Sequence, residues 1–315
     1  MPSLVMKAAA RVLICCGISV GSVLAQAPAT AAPGDPLPAA NPRFFDAPTP
    51  TVETVNAFLK AIWGYDANRI YRVMAIQKTA APDVAKVTVF VTDGSPGAKV
   101  QTMQFFVTPD GKHAIADAVF DFGEKPFAAT RAMLMSRVDG PARGAAGKEL
   151  LLVEFADMQC PHCKDAQATM DDLVRDFPQA RVVYQNFPLI EIHPFAAQAA
   201  AYGNCVADKS PSAFYVYMKD VFDHQEALNP EVGEATLKNA VTKAGQDPTA
   251  IAACAATPAA KKRIDAQIAL ANDAGVMETP MLSVNGHLLP IGSIPYETLK
   301  QIIVFQAAQD GIALK

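Results

Sequence analysis

The chain has 315 residues, of which 51% are hydrophobic and 18% charged, and its formal net charge is -4. That length and apolar content allow a sizeable core in one large or two ordinary domains. The slightly acidic balance, with no long lysine or arginine run, argues against a protein that follows nucleic acid or anionic lipid.

Lys7 and Arg11 precede an almost uncharged stretch from Val12 to Leu24, which closes in Val23-Leu24-Ala25. Residues 1–25 read as a signal peptide cut after Ala25, because the apolar run is shorter than the ~18–20 residues a bilayer span needs. The expected location is therefore outside the cytosol. Cys15 and Cys16 fall inside this segment and leave with it, so Cys160, Cys163, Cys205 and Cys254 remain of the six cysteines. An even set in an exported chain permits disulfide chemistry. Residues 26–48, dominated by alanine and proline, read as a flexible tether.

A small α+β domain is expected over residues 49–123. Thr49 is a candidate helix N-cap with Pro50 at the first helical position, and Val52, Val55, Phe58, Leu59 and Ile62 recur at helical spacing. From Arg69 to Asp121 the period changes to two, as in Val87, Val89 and Val91. A second run covers Val100 to Val107, then comes the turn Pro109-Asp110-Gly111, then a third run from Ala114 to Phe122. Trp63, Phe105, Phe106 and Phe120 are expected in its core. Residues 124–148 read as a linker: a short helix over Phe127–Val138, then a hinge carrying Gly140, Pro141, Gly144 and Gly147.

A second domain is expected over residues 149–312. Leu150 to Phe155 is an apolar run typical of a strand buried on both faces, followed by Cys160-Pro161-His162-Cys163 and a helical pattern through Phe177. Ala180 to Phe187 reads as the next strand, so strand, helix and strand form a parallel crossover. A helical insertion at about 194–275 is broken at Pro211, Pro230, Pro248 and Pro258. A hairpin around Asn285-Gly286 and a closing helix from Pro295 to Gln309 complete an α/β domain.

The chemistry points to Cys160 and Cys163. A thiolate is the nucleophile of disulfide exchange, and a cysteine where a strand turns into a helix sits by the free N–H groups that favour its anion. Pro161 in the first turn forgoes no helical hydrogen bond, a protonated His162 would add charge, and the two-residue spacer sets Cys163 one turn on, placed to attack a mixed disulfide. A zinc half-site is the competing reading, but zinc asks for four ligands and no second Cys-x-x-Cys or nearby His-x-x-x-His is present. No metal and no cofactor are expected. Cys205 and Cys254 read either as a second disulfide, closing a loop of about 50 residues for roughly 4 kcal/mol, or as two buried free thiols; the oxidising compartment favours the disulfide.

Val153 to Lys164, with Glu154 six residues before Cys160, resembles the active-site segment of DsbA-like thiol-disulfide oxidoreductases of the thioredoxin superfamily. Asn186-Phe187-Pro188-Leu189 with His193-Pro194-Phe195-Ala196, the alanine-rich helix reaching Cys205, and Glu278-Thr279-Pro280 before Val284-Asn285-Gly286 are similar to the same family, in the same order. The resemblance covers roughly residues 139 to 310 and implies a thioredoxin-like fold with a helical insertion. It also implies that Thr279-Pro280 is a cis-proline loop facing the cysteines and the substrate backbone, and that Glu154 is a buried acid handling the proton of Cys163. The pair Pro161-His162 resembles the oxidising members.

The expected activity is therefore dithiol oxidation in secreted or periplasmic proteins, with protein thiols as substrates and a membrane-bound partner recycling the enzyme. Gln104 to His113, with Asp121, loosely resembles the dimerising half of DsbC-type isomerases. That keeps open a dimeric isomerase or reductase, homodimerised through the N-terminal domain. A non-catalytic binding module on the same scaffold is the third reading. His193 is expected to shape the loop beneath the cysteines, and His113, His224 and His287 are given no role.

Overall fold

The computed structural model describes residues 35–95, 97–116 and 119–314. The expected signal peptide over 1–25, with Cys15 and Cys16, and residues 26–34 of the expected tether lie outside the described residues. Residues 35–48, also expected as tether, pack on the N-terminal sheet instead. Leu37 and Ala40 are buried, and Arg72 pairs with Asp35 while donating to the Leu37 and Pro38 carbonyls at 2.7 and 2.8 Å. The alanine and proline surplus had hidden one buried leucine and two backbone acceptors aimed at a guanidinium.

Helix α1 (Val52–Trp63) starts two residues later than the sequence suggests, because Thr51 rather than Thr49 caps it, its Oγ1 accepting from the Thr54 amide at 3.1 Å. Val55, Phe58 and Leu59 of its apolar stripe are buried against an antiparallel sheet. Its strands are β1 (Ile70–Lys78), β2 (Ala85–Thr92), β3 (Gln101–Val107), β4 (His113–Ile115) and β5 (Val119–Asp121), paired in that order. Val87, Val89, Phe105 and Val107 close this core from the sheet side, each side chain worth roughly 1.5–3 kcal/mol by leaving water. The single run expected over Ala114–Phe122 is thus two strands, β4 and β5. Phe105 is buried and Trp63 packs beside it, but Phe106 and Phe120 are 40% and 45% exposed rather than in the core. Phe106 follows Phe105 on a strand and so points to the opposite face, and Phe120 lies on the edge strand.

The expected linker contains two regular elements. Helix α2 (Ala128–Arg137) fills the predicted helix, but the predicted hinge is a strand, β6 (Ala142–Gly144), antiparallel to β8 (Arg181–Asn186). Gly140 lies so close to β8 that a Cβ there would strike the Tyr184 carbonyl. Glycine is used here for close approach and not for flexibility.

The second sheet has the order β10-β9-β7-β8-β6, with β7 (Leu151–Ala156) in the centre and β9 (Met281–Val284) and β10 (His287–Pro290) as the predicted hairpin. Every residue of β7 is buried, as a strand covered on both faces requires, and β7 runs parallel to β8. Helix α3 (Pro161–Asp176) connects those two strands. The insertion between β8 and β9 holds α4 (Ala196–Lys209), α5 (Pro211–Asp223), α6 (Gly233–Lys243), α7 (Pro248–Ala255) and α8 (Pro258–Ala274), and α9 (Tyr296–Gln309) closes the domain. Pro211, Pro248 and Pro258 are first residues of their helices, where the missing N–H has no partner to lose. Cys205 of α4 is joined to Cys254 of α7, with the Cα atoms 6.2 Å apart. The two domains touch where Gly64, just beyond α1, meets the Phe305 ring of α9, and where Tyr65 packs against the core of the second sheet.

Candidate active site

The site is built at the end of the central strand. β7 stops at Ala156, three residues turn the chain, and Cys160 takes the N-cap of α3 with extended backbone (φ -78°, ψ 122°) and Pro161 at the first helical position. The first-turn amides are therefore aimed back at the Cys160 sulfur. Cys160 and Cys163 are both free thiols; Cys163 is fully buried and Cys160 is 5% exposed. The chain before β9 approaches from the other side. Thr279 and Pro280 are joined by a cis peptide bond, both are buried, and the Thr279 carbonyl lies 3.7 Å from Cys160 Sγ. Residues 119 positions apart thus meet at one sulfur.

The two thiols have opposite proton affinities. The Cys160 thiol is pulled from 9.0 down to about 5, first by the hydrogen bond from the Cys163 side chain, against the opposing pull of burial, and further by the Cys163 and His162 backbone amides. Cys163 is pushed far up, first by burial and then by the neighbouring Cys160; the Asp157 amide donates to its sulfur at 3.3 Å and only partly offsets this. His162 contributes through its backbone amide, while its side chain is exposed.

Behind the cysteines, Glu154 of β7 is 2% exposed and burial lifts its carboxyl to about 7, the Gln167 amide working in the opposite direction. Gln167, one turn beyond Cys163 on α3, donates from the same nitrogen to Glu154 Oε1 at 2.7 Å and to the Cys163 carbonyl at 3.0 Å. It ties the acid to the turn that carries the buried thiol. Arg143 of β6, paired with Asp171 of α3, adds its field to the same carboxyl.

Four supporting residues were not singled out in the sequence. Asp157, 1% exposed, accepts from the Gln159 and Leu189 amides at 2.7 and 2.9 Å and bonds His193 Nδ1 at 2.7 Å. That places His193 beneath the cysteine turn, as a brace. Gln159 donates to the Leu228 carbonyl at 3.0 Å and accepts from the Phe195 amide at 2.8 Å, and Gln225 donates to the Met158 and Cys160 carbonyls at 2.9 and 3.0 Å. The insertion thereby grips the reactive turn from outside. Asp157 and Gln159 stand within the cysteine segment and Gln167 four residues after Cys163, so spacing could have flagged them; nothing marks Gln225. The Cys205–Cys254 disulfide lies within the insertion, where α4 packs against α7. Among the described residues no group of three or more His, Cys, Asp or Glu is placed to hold a metal ion.

A family model described as Thioredoxin matches residues 136–304. Among solved structures, the chain is similar to the catalytic domain of ScsC from Proteus mirabilis, with 23% identity, 56% of this chain and 98% of that chain covered, and a TM-score of 0.47. It is similar to oxidised BdbD from Bacillus subtilis, with 17% identity, 54% and 93% coverage, and a TM-score of 0.46. These scores are too low to add to what the family match establishes. Among curated proteins it is similar to a Na(+)/H(+) antiporter NhaA of Herminiimonas arsenicoxydans, 29% identical over 164 residues that make up 51% of this chain and 24% of that one. A second, NhaA 3 of Salinispora tropica, is 32% identical over 88 residues, 28% of this chain and 13% of that one. The chain thus spans a quarter or less of the length of these relatives. Among the described residues no helix is long and apolar enough to cross a membrane.

Proposed function

The chain belongs to the thioredoxin family, and from that premise we propose that it is an exported thiol-disulfide oxidoreductase that oxidises dithiols in secreted or periplasmic proteins. The observation that carries this is the opposed pair of thiols at the mouth of α3, one holding its proton weakly, at about 5, and the other strongly. At neutral pH the reduced enzyme keeps Cys160 as a thiolate and Cys163 as a thiol. Stabilising the thiolate stabilises the reduced form over the disulfide, which makes the oxidised protein a disulfide donor.

The reaction runs in two exchanges. A substrate thiolate attacks Cys160 Sγ of the oxidised enzyme, the Cys160–Cys163 bond breaks, and Cys163 leaves as a thiolate. Its high proton affinity calls for a proton, and Glu154, protonated below about pH 7 and tied to the Cys163 turn through Gln167, supplies it. A second substrate thiolate then attacks the substrate sulfur of the mixed disulfide, forming the substrate disulfide and releasing Cys160 as thiolate. Two electrons pass to the enzyme, so an oxidant must restore it, and a membrane-bound recycling partner fills that place. The Thr279-Pro280 loop, against Cys160, supplies backbone for pairing with the substrate chain.

The test is the redox equilibrium of the Cys160–Cys163 pair with glutathione, alongside Cys160→Ser. The oxidase reading expects a potential well above about -270 mV, the thioredoxin value, and no dithiol oxidation by the variant. A potential near thioredoxin's removes the oxidase role, and full activity of Cys160→Ser removes the enzyme.

A further inference from the structure

Between the two domains lies a cavity of about 750 Å³, within the roughly 300–1,000 Å³ range of ligand pockets. The N-terminal domain contributes Phe105, Val119 and Phe120, and the catalytic domain Met277, Leu289 and Ile302. Three of these are uncovered: Met277 is 85% exposed, Val119 64% and Phe120 45%. Large apolar side chains left in water around one concavity mark a place where something apolar docks.

The position of Met277 identifies the occupant. It lines the cavity, yet stands two residues before Thr279, whose carbonyl is 3.7 Å from Cys160 Sγ. Two residues span at most about 7 Å, so the cavity lip adjoins the loop that faces the reacting sulfur. A polypeptide leaving that sulfur reaches the lip within about three to five residues.

We propose that this interdomain cavity docks an apolar, aromatic-bearing segment of the same polypeptide whose cysteine is joined to Cys160, which makes Val119, Phe120 and Met277 specificity-determining residues. The proposal rests on the thiol-disulfide reading given above. It gives the N-terminal domain a part in substrate choice, because its sheet supplies one wall of a site whose other wall is the catalytic domain. His287, the one imidazole in the lining, does not oppose it. Its ring stacks on Phe127 at 4.0 Å and 7°, and burial lowers its pKa to about 4, so at neutral pH it offers an uncharged face. Asp121 and Asp273 also line the cavity, so a segment carrying acidic residues beside its aromatics is disfavoured.

The experiment uses the oxidised full chain with two peptides of equal length, each with one cysteine followed after four glycines by either two phenylalanines or two serines. The rate of mixed-disulfide formation is measured for each, with glutathione as a third thiol too small to reach the cavity. The wild type is expected to favour the phenylalanine peptide by about tenfold per ring buried. Val119→Asp and Phe120→Asp, at exposed positions that do not threaten folding, are expected to abolish that preference and leave the glutathione rate unchanged. Equal rates for the two peptides with wild type, or a preference that survives both substitutions, overturns the proposal. A fall in solution mass on substitution, with the peptide preference intact, also overturns it and makes the cavity a contact with a second copy. If wild type does not react with glutathione either, it is the oxidoreductase reading that fails.

Discussion

Replacing Glu154 by glutamine separates the stability of this protein from its chemistry. Burial raises the Glu154 carboxyl from 4.5 to about 7 in the folded state. Below pH 4.5 the group is protonated in both folded and unfolded chains and the folded state bears no ionisation penalty. Between 4.5 and 7 the unfolded chain gives up its proton while the folded chain keeps it, so stability falls as pH rises, and above 7 the loss is constant. The difference of about 2.5 units, at 1.36 kcal/mol per unit, is about 3 kcal/mol. Glu154→Gln keeps an acceptor for Gln167 and removes the titration. Urea unfolding in a Cys160→Ser background, where Cys205–Cys254 stays joined without reductant and Cys160 does not titrate, reads the effect. The glutamine variant is expected to match its parent at pH 4 and to be more stable by about 3 kcal/mol at pH 8. Equal differences at the two pH values would show that Glu154 is not held protonated by burial, and the proton-donor role would go with it.

Thiolate absorbance of the reduced protein should titrate with a midpoint near 5 for Cys160. Cys163→Ala should raise that midpoint if the Cys163 thiol is the chief donor to the anion; an unmoved midpoint would assign the shift to Thr279 and the helix amides. Breaking Cys205–Cys254 by paired serine substitution should cost about 4 kcal/mol in urea unfolding, given the separation of 49 residues, with the glutathione reaction unaffected. A cost near zero would mean that α4 and α7 are held by packing. Asp157→Ala leaves the Gln159 and Leu189 amides and His193 without their acceptor, and should destabilise by roughly 3 kcal/mol in the same assay; a change under about 0.5 kcal/mol would refute the bracing role.

The strands and helices were legible where periodicity and punctuation agreed. The apolar run of β7, the prolines opening α5, α7 and α8, and the Asn285-Gly286 turn all announced themselves locally. The errors share a cause, which is that composition does not reveal tertiary contact. Gly140 reads as a hinge until Tyr184 is seen against it, and residues 35–48 read as a tether until Arg72 is seen holding their carbonyls. In the site, the two cysteines declare themselves by spacing. Gln225 could not, because its importance lies in reaching the Cys160 carbonyl across 65 positions of sequence. The wall that β5 gives to the interdomain cavity was unreadable for the same reason, since Phe120 looks like any other core aromatic until its neighbours are known.

The segment held by Arg72 has one more effect. Phe45 bridges Ile76, the Ala47 amide donates to the Ile76 carbonyl at 3.1 Å, and Asp46 accepts from the Lys78 amide at 2.8 Å, all along the outer rim of β1. Hydrogen-bonding groups that would otherwise template the addition of a foreign strand are already engaged there. Runaway edge-to-edge polymerisation needs two open margins, and the Ile76–Lys78 end of β1 is closed to it.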